Sequence, residues 1–275
     1  MMVEDFSKYN GEGTLLRDVQ KKMLTILIEV DKICRQNDIP YWIDYGTLLG
    51  AIRHGGFVPW DDDLDICIME EHFEKFQEVC LRELPENLFL QNEKTDPLSS
   101  MGNGLIKIRD KESLYIHDFE NFRKKYNKGI FIDVFKCRSY SKMPMSLLKF
   151  LIKNISKSFG FSHYNPPLNF KNIICFFIYP ILYPIHKSIL FILNNKKTFY
   201  VGCAPERSTY KEIHYIHNLF PLQEITFENH KFMAPNNPDA FLRDEYGDYM
   251  QIPPVEKRRT HVSYVFLNRQ DGLVK

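Results

Sequence analysis

Several features are missing from this 275-residue chain, and each absence narrows what the protein can be. The chain has no excess of one charge, because its 36 lysines and arginines and its 35 aspartates and glutamates give a net charge of +1. A chain without a basic excess is poorly suited to holding a polyanion, so we expect no nucleic-acid partner. The polar start MMVEDFSKYNGEG does not have the pattern of a secretory signal peptide. We therefore expect the protein to work in the cytoplasm.

Cysteine spacing of the kind that marks a redox or zinc site is also missing. The six cysteines are scattered between Cys34 and Cys203, and no two form a Cys-x-x-Cys pair. In a reducing compartment such residues serve as small hydrophobic side chains. The pattern favours reduced cysteines inside a core, and a chain with 44% hydrophobic residues can bury one substantial core.

Acidic residues are absent from residues 138–205, where nine lysines and arginines occur. The most apolar part, Ile173 to Leu193, is interrupted by two prolines, a histidine and a lysine. A membrane-spanning helix needs about 20 largely apolar residues, so we do not predict one here. Basic, apolar helices suit the surface of an anionic membrane leaflet. Alternatively, the apolar faces pack on each other and the lysines are solvated, and the sequence leaves both interpretations open.

The features that are present concentrate between Tyr41 and Ile68. A short apolar run, a Gly46-Thr47 pair and a short helical segment lead into the acidic run DDDLDI. Residues two apart on a strand point to the same face, so we expect Asp63 and Asp65 to project together. Two close carboxylates repel each other unless a cation holds both, and carboxylate oxygens suit Mg²⁺ or Mn²⁺. The alternation predicts a metal site, with a solvated acidic turn as the alternative.

A third carboxylate comes from the apolar segment GIFIDVF at residues 129–135. A lone aspartate among apolar neighbours is costly to bury as a charge unless it has a partner. A cation held by Asp63 and Asp65 would be that partner for Asp133. An aspartate that caps a turn at the end of a strand is the alternative.

Two basic segments are candidates for binding phosphate. GLIKIRD, residues 104–110, alternates so that Lys107 and Arg109 share one face of a strand. Beside an acidic metal site these cations would meet phosphate oxygens, although an exposed edge strand with surface cations has the same pattern. Near the C-terminus, two prolines form a stiff turn before the basic run KRRTH at residues 257–261. As a bare charge run it is more often a solvated face.

Together these motifs resemble a known family. Gly46-Thr47, a helix and Asp63-Leu64-Asp65 on a strand resemble the signature of the nucleotidyltransferase superfamily. The longer string YGTLLGAIRHGGFVPWDDDLDI resembles the LicD family of phosphocholine transferases and their fukutin-related relatives. GIFIDVF and the block EYGDYMQIPPVEKRRTH, residues 245–261, extend the resemblance to both ends of the chain. It is weak only between about residues 139 and 200.

The resemblance implies an α/β (α+β) fold, with a nucleotidyltransferase-like mixed sheet flanked by helices and a basic, apolar helical insertion. We divide the chain into a catalytic core at 1–138, the insertion at 139–205 and a C-terminal part at 206–275 that completes the active site. The insertion is expected to contact the membrane or the acceptor.

The resemblance also implies an activity. It is the transfer of phosphocholine from CDP-choline to a sugar hydroxyl of a cell-surface glycan, such as a teichoic acid, lipopolysaccharide or capsule precursor, with release of CMP. Another phosphoalcohol from its own CDP donor, such as phosphoethanolamine, ribitol phosphate or glycerol phosphate, fits the same family. Nucleotidylyl transfer from an NTP is a second enzyme class that stays open. A catalytically inactive binding protein is disfavoured, because all three carboxylates are present.

On this interpretation Asp63, Asp65 and Asp133 are the catalytic residues and hold Mg²⁺ or Mn²⁺. The substrate-binding candidates lie in or beside the matching motifs; they are Gly46, Thr47, Arg53, His54, Trp60, Lys107, Arg109, Lys257, Arg258 and His261. The expected partners are CDP-choline or another CDP-alcohol and a lipid-linked glycan acceptor, met at the inner face of the cytoplasmic membrane. A choline head group requires an aromatic cage, which 22 phenylalanines and 15 tyrosines can supply in many ways.

Overall fold

The computed structural model of the chain describes residues 5–99, 105–117, 125–163, 170–194, 197–205 and 212–268. Within these ranges the α-helices are α1 (Ser7–Asn10), α2 (Leu15–Gln36), α3 (Tyr45–His54), α4 (Glu70–Glu83), α5 (Met145–His163), α6 (Phe170–Leu193), α7 (Ile216–Leu219) and α8 (Pro238–Tyr246). The strands are β1 (Tyr41–Ile43), β2 (Asp65–Met69), β3 (Leu88–Gln91), β4 (Leu105–Asp110), β5 (Leu114–His117), β6 (Phe131–Ser141), β7 (Thr198–Cys203), β8 (Ile213–Tyr215), β9 (Gln223–Phe227), β10 (His230–Ala234) and β11 (Val262–Phe266).

Seven of these strands form one mixed sheet. Its order is β1-β2-β6-β4-β3, with β7 paired to β6 and β8 paired to β7. Strands β2 and β6 run parallel, whereas the other pairs are antiparallel. Helices α2 and α4 pack against this sheet, and the hairpin β9–β10 and the two-stranded sheet β5–β11 lie outside it. The predicted mixed sheet flanked by helices is therefore confirmed.

Helix α2 shows how the sequence produces one layer of this fold. Its apolar residues recur every three or four positions, and those on one face are buried, including Met23, Leu27 and Val30 at 0% exposure. The Thr14 hydroxyl caps the first turn by accepting a hydrogen bond from the Arg17 amide (3.3 Å). Each fully buried aliphatic side chain stabilises the fold by roughly 1.5–3 kcal/mol, so this face holds α2 on the sheet.

The pairing of β2 with β6 places two of the predicted carboxylates side by side. Asp65 is the register partner of Asp133 in this parallel pair. The alternation predicted that Asp63 and Asp65 both lie on the strand. In the structure β2 begins at Asp65, so Asp63 lies just before it. The reason is that the pairing starts at Leu64, whose carbonyl accepts a hydrogen bond from the Asp133 amide (2.8 Å).

Strand β6 is longer than the predicted apolar segment because its second half has a different partner. Beyond Phe135 the strand continues to Ser141 and pairs with β7. Helices α5 and α6 form a helical hairpin inserted between these two paired strands. The hairpin has a small core of its own, with Leu148, Ile152 and Ile155 from α5 and Leu190 from α6. The proposed domain boundaries remain a prediction, since β6 and β7 lie in the main sheet on either side of the insertion.

Neither α5 nor α6 has the features of a transmembrane helix. Helix α6 contains Pro180 and Pro184. Among the residues that the structure describes, no helix combines the length and the apolar character needed to cross a membrane.

A close backbone approach fixes the turn between α3 and the acidic run. A Cβ at Gly50 would overlap the carbonyl oxygen of Gly56 and lie 2.9 Å from the amide nitrogen of Val58. Both neighbours are backbone atoms, which cannot rotate away as the end of a side chain can. Glycine at position 50 is therefore what lets the chain fold back tightly before Asp61.

We expect the substitution Gly50→Ala to lower the free energy of unfolding. Alanine gains about 1 kcal/mol in helix propensity, but overpacking against fixed backbone costs more, leaving a net loss of roughly 1–2 kcal/mol. Urea denaturation measures the change. Ile52→Ala on the same helix, at a side chain that is 38% exposed, is the control. Equal stability of the two variants would contradict the proposed tight packing.

Candidate active site

A cavity of about 780 Å³ lies where β2 and the first half of β6 run side by side. It is bounded by α3, the acidic run before β2, the end of α8 and the segment that follows α8. Its lining residues are Tyr45, Gly46, Leu49, Arg53, Val58, Trp60, Asp61, Asp63, Asp65, Asp133, Phe135, Glu212, Tyr246, Asp248, Tyr249, Gln251, Pro253, Lys257, Arg259 and His261. The two ends of the chain thus meet at one cavity.

Six carboxylates line this cavity, and three of them are the predicted ones. Asp63, Asp65 and Asp133 lie in its lining together with Asp61, Glu212 and Asp248. The carboxyl groups of Asp61 and Asp63 lie close enough to shift each other's pKa. Lys107 faces the group from β4, with its Nζ 2.6 Å from Oδ1 of Asp133. Sequence reasoning missed Asp61, because the residue between it and Asp63 is another aspartate and not an apolar residue, although Asp61 continues the period-two spacing.

Burial and mutual repulsion raise the pKa values of Asp61, Asp63 and Asp65. Burial raises the pKa of Asp63 to about 6, and the charge of Asp133 adds to that effect. The pKa of Asp65 lies well above its ordinary value, first through burial and then through the charges of Asp63 and Asp133. Burial and the charge of Asp63 raise the pKa of Asp61 in the same direction. Lys107 opposes the shifts of Asp63 and Asp65. Hard oxygen donors that repel one another are a donor set that suits a divalent cation.

Gly46 and Thr47 support the carboxylates. A Cβ at Gly46 would overlap the carboxylate of Asp61, so glycine lets the start of α3 approach it closely. The Thr47 hydroxyl accepts a hydrogen bond from the Asp65 amide (2.8 Å) and is buried. Of the two, Gly46 lines the cavity, whereas Thr47 lies outside its lining and holds the start of β2.

Asp62 joins the acidic run to the C-terminal segment. Its carboxylate accepts a hydrogen bond from the backbone amide of His261 (2.8 Å). The Tyr115 hydroxyl donates to the Asp62 carbonyl (2.6 Å), and Val262 next pairs with His117 of β5. Asp62 is fully buried and points away from the cavity, as the residue between Asp61 and Asp63 on extended chain must. It positions His261 at the site, a role that sequence reasoning did not assign.

The basic run KRRTH divides into two faces. Lys257, Arg259 and His261 line the cavity. Arg258 does not; its guanidinium lies 4.9 Å from the Trp60 ring centroid, and its Nε donates to the Pro253 carbonyl (2.8 Å). The sequence analysis included Arg258 among the substrate-binding candidates and did not include Arg259. The period-two alternation of an extended segment was the signal that would have separated them.

Arg53 and Trp60 line the cavity, but His54 does not. Arg53 donates from its guanidinium to the Tyr249 carbonyl (2.7 Å) and from Nε to Nε2 of His54 (2.9 Å). Burial and the charge of Arg53 lower the pKa of His54 to about 4. His54 packs edge-on against Trp60 and therefore supports the wall from behind.

Lys107 and Arg109 have different roles although they share a strand. The Lys107 ammonium contacts Asp133 and lies 3.4 Å from the Phe131 ring centroid. Arg109 is 1% exposed and donates to Gln91 Oε1 (2.6 Å) and to the Gly129 carbonyl (2.7 Å). The structure places Arg109 in the core, behind the site, so its proposed contact with substrate is not supported by its position.

Three of the scattered cysteines come together beneath the cavity. Cys67, Cys137 and Cys203 lie on three strands, with their sulfur atoms within 4.8 Å of one another, and all are buried. Among the described residues, this is the group of three possible metal ligands whose donor atoms lie within that distance of one another. The carboxylate oxygens of the cavity are spaced more widely. The Tyr45 hydroxyl lies 2.9 Å from the Cys203 sulfur and donates to Glu212 (2.9 Å). The free thiols fit the expectation of reduced, buried cysteines.

The sequence is similar to several known proteins. The profile of the LicD/FKTN/FKRP nucleotidyltransferase domain matches residues 38–169. The lipopolysaccharide cholinephosphotransferase LicD of Haemophilus influenzae is 26% identical over 274 residues, which cover 90% of this chain and 95% of that protein. The uncharacterized protein RP689 of Rickettsia prowazekii is 45% identical over 79 residues, 28% of this chain and 27% of the other. The ribitol 5-phosphate transferase FKRP of Homo sapiens is 52% identical over 33 residues, 12% of this chain and 7% of that protein.

We expect Arg109→Ala to lower the free energy of unfolding by about 3 kcal/mol, because it leaves buried acceptors at Gln91 and Gly129 without their donor. Chemical denaturation measures the loss. Arg82→Ala removes an arginine side chain that is 66% exposed and is the matched control, with a change within about 0.5 kcal/mol. If Arg109→Ala were as stable as the control, the structural role assigned to this residue would be wrong.

Proposed function

The chain belongs to the LicD family, related to fukutin and fukutin-related protein, and we propose that it transfers a phosphoalcohol to a sugar hydroxyl. Our specific proposal is phosphocholine from CDP-choline, with CMP as the second product. The observation that carries it is the meeting of Asp63, Asp65 and Asp133 in the lining of one cavity that Lys257 and Arg259 also line. The carboxylates suit a cation and the basic side chains suit phosphate oxygens, as a diphosphate donor requires.

Asp63, Asp65 and Asp133 would hold Mg²⁺ or Mn²⁺, with Asp61 beside them. The fit rests on their chemistry: they are hard oxygen donors, of which Asp63 and Asp65 have raised pKa values, and a divalent cation removes their repulsion. When bound, such an ion supplies charge neutralisation at the transferring phosphoryl group.

The cationic residues of the cavity would orient the donor. Lys257 and Arg259 come from the C-terminal segment, and Arg53 comes from α3. Arg53 is held by the Tyr249 and Gln251 carbonyls, so its charge stays in place when the cavity is empty of phosphate. Charge-assisted hydrogen bonds from such groups bind phosphate oxygens strongly. Lys107 would offset the negative charge of Asp133 from behind.

The aromatic lining favours a cationic alcohol over an uncharged one. Tyr45 and Phe135 form a tilted pair with ring centroids 5.1 Å apart, and Tyr246 and Tyr249 lie on the same cavity. Glu212 adds a carboxylate beside Tyr45. Rings and a carboxylate together recognise a quaternary ammonium group, for which ribitol or glycerol has no counterpart. This is why we place choline before the other phosphoalcohols.

In the proposed reaction the sugar hydroxyl oxygen attacks the phosphorus that carries choline. A new P–O bond forms to the sugar, the P–O bond to CMP breaks, and the bond electrons leave with the CMP phosphate. The hydroxyl proton passes to a carboxylate of the cavity wall. We place this reaction in the cytoplasm, at the inner face of the membrane that carries a lipid-linked glycan. Nucleotidylyl transfer differs because an NTP would release pyrophosphate.

Incubation with a panel of CDP-alcohols and Mg²⁺ tests the proposal. We expect CMP release, fastest with CDP-choline, when a lipid-linked glycan is added. Asp63→Asn, Asp65→Asn and Asp133→Asn should each slow the release about 1000-fold, the factor for a loss of roughly 4 kcal/mol of transition-state stabilisation. Asp38→Asn is the matched control, because this aspartate is exposed and outside the cavity lining and should leave the rate unchanged. Pyrophosphate release from an NTP, without CMP release from any CDP-alcohol, would refute the proposal.

Metal binding can be tested separately, without turnover. Adding Mg²⁺ or Mn²⁺ at about 100 times its dissociation constant should stabilise the protein by about 2.7 kcal/mol and raise the melting temperature by roughly 5 °C. Asp65→Asn should abolish this rise and Asp38→Asn should keep it, as measured by thermal unfolding. NaCl at matched ionic strength controls for screening. A rise of equal size in Asp65→Asn would show that the ion binds elsewhere.

A further inference from the structure

Helix α6 carries an apolar stripe that no described part of the protein covers. Five isoleucines recur along it at spacings of three, four, four and three residues, which places them on one face. Their exposed fractions run from 39% to 64%; the residues are Ile178, Ile181, Ile185, Ile189 and Ile192. We call this set the isoleucine stripe. Phe191, beside it, is 81% exposed.

The hairpin core leaves the stripe outside. Helix α5 buries its own apolar face, with Leu148, Leu151, Ile152 and Ile155 all at 1% exposure or less. Of the described α6 side chains, Leu190 is buried in this core and Tyr183 packs against it. The two helices therefore do not pack all their apolar faces together, which was the alternative interpretation of the sequence. An exposed contiguous apolar surface of this kind marks a site of interaction.

The charge around the stripe indicates what it meets. Residues 138–205 contain no aspartate or glutamate, so every charged side chain of the hairpin is basic. Lys142, Lys157 and Lys197 are exposed. A protein partner of ordinary surface would not require a segment of one sign, whereas an anionic leaflet attracts each such lysine. An exposed apolar stripe on a segment whose charged residues are all basic matches the boundary between acyl chains and anionic head groups.

From these observations we propose that the α5–α6 hairpin docks the protein on an anionic membrane leaflet through the isoleucine stripe. Helix α6 lies along the surface, with the stripe among the upper acyl chains and the lysines at the level of the head groups. Its two internal prolines and exposed Lys187 suit a helix that lies in the interface better than one that crosses it. The chemistry proposed for the cavity is not needed for this contact.

Co-sedimentation of the full-length protein with vesicles tests the docking. We expect binding to vesicles of phosphatidylcholine mixed in equal parts with phosphatidylglycerol, and weaker binding to phosphatidylcholine alone. The double substitution Ile181→Ser with Ile192→Ser should lower the partition coefficient at least about tenfold, because these are the most exposed members of the stripe. Leu81→Ser with Leu98→Ser is the matched control, since these leucines are 62% and 53% exposed away from the hairpin.

The lysines provide a second, independent measurement. Replacing Lys142, Lys157 and Lys197 by glutamine should remove most of the preference for phosphatidylglycerol and leave the binding to neutral vesicles unchanged. Added salt should have the same effect as these substitutions. All the substituted side chains are exposed, so the variants are expected to fold, and circular dichroism verifies this.

Two outcomes would overturn the inference. The first is equal vesicle binding by the stripe variant and the control. The second is a wild-type dimer that the stripe substitutions convert to a monomer without changing vesicle binding, which would assign the stripe to a contact between copies of this chain. CMP release from CDP-choline by the stripe variant in detergent separates this question from the proposed activity. Loss of docking with normal release supports the membrane contact, whereas docking without release by any variant refutes the activity alone.

Discussion

Repulsion among carboxylates that the fold holds together out of water is the constraint on which this structure depends. Asp61, Asp63 and Asp65 all have raised pKa values because burial and neighbouring negative charges disfavour ionisation. A chain selected for stability alone would separate these groups or replace them. The parallel register of Asp65 with Asp133 and the missing Cβ at Gly46 instead force them together. An arrangement of charged side chains that costs folding stability in this way is typical of a functional site.

The cavity is completed by parts of the chain that are far apart in sequence. Strands β2 and β6 supply its acidic wall, whereas the segment after α8 supplies Lys257 and Arg259. The bond between the Asp62 carboxylate and the His261 amide joins these parts across 199 residues. Asp62 thus serves the site through the backbone, while its two neighbours serve it through their side chains.

Much of the acidic wall could be predicted from the sequence, because apolar alternation is a local property. A lone aspartate in GIFIDVF could only be buried beside a partner, and Asp133 does lie beside Asp65. The helix Leu15–Gln36 was likewise fixed by its own periodicity and cap. In each case the deciding residues are neighbours in the chain.

The position of Arg109 and the meeting of the cysteines depend on tertiary neighbours that no local pattern contains, whereas alternation alone could have separated Arg258 from Arg259. Alternation puts Lys107 and Arg109 on one face, but only the position of Gln91 and of the Gly129 carbonyl draws Arg109 into the core. Arg258 is drawn to Trp60, which leaves Arg259 on the cavity. Cys67, Cys137 and Cys203 converge because β2, β6 and β7 are adjacent, a fact about strand order and not about spacing.

Strand β6 has a consequence for the geometry of the acceptor. From Asp133 beside the cavity it continues without a break to Ser141, shortly before the helical hairpin starts at Met145. The eight residues of extended chain beyond Asp133 measure about 26 Å, which separates the carboxylates from the helices. With the isoleucine stripe resting on lipid, as proposed, this strand and the hairpin together set how high above the bilayer the carboxylates are carried. A glycan built on a lipid carrier would then be modified at a sugar whose distance from the lipid anchor matches that height. The number of sugars between the anchor and the site would therefore select which sugar is modified.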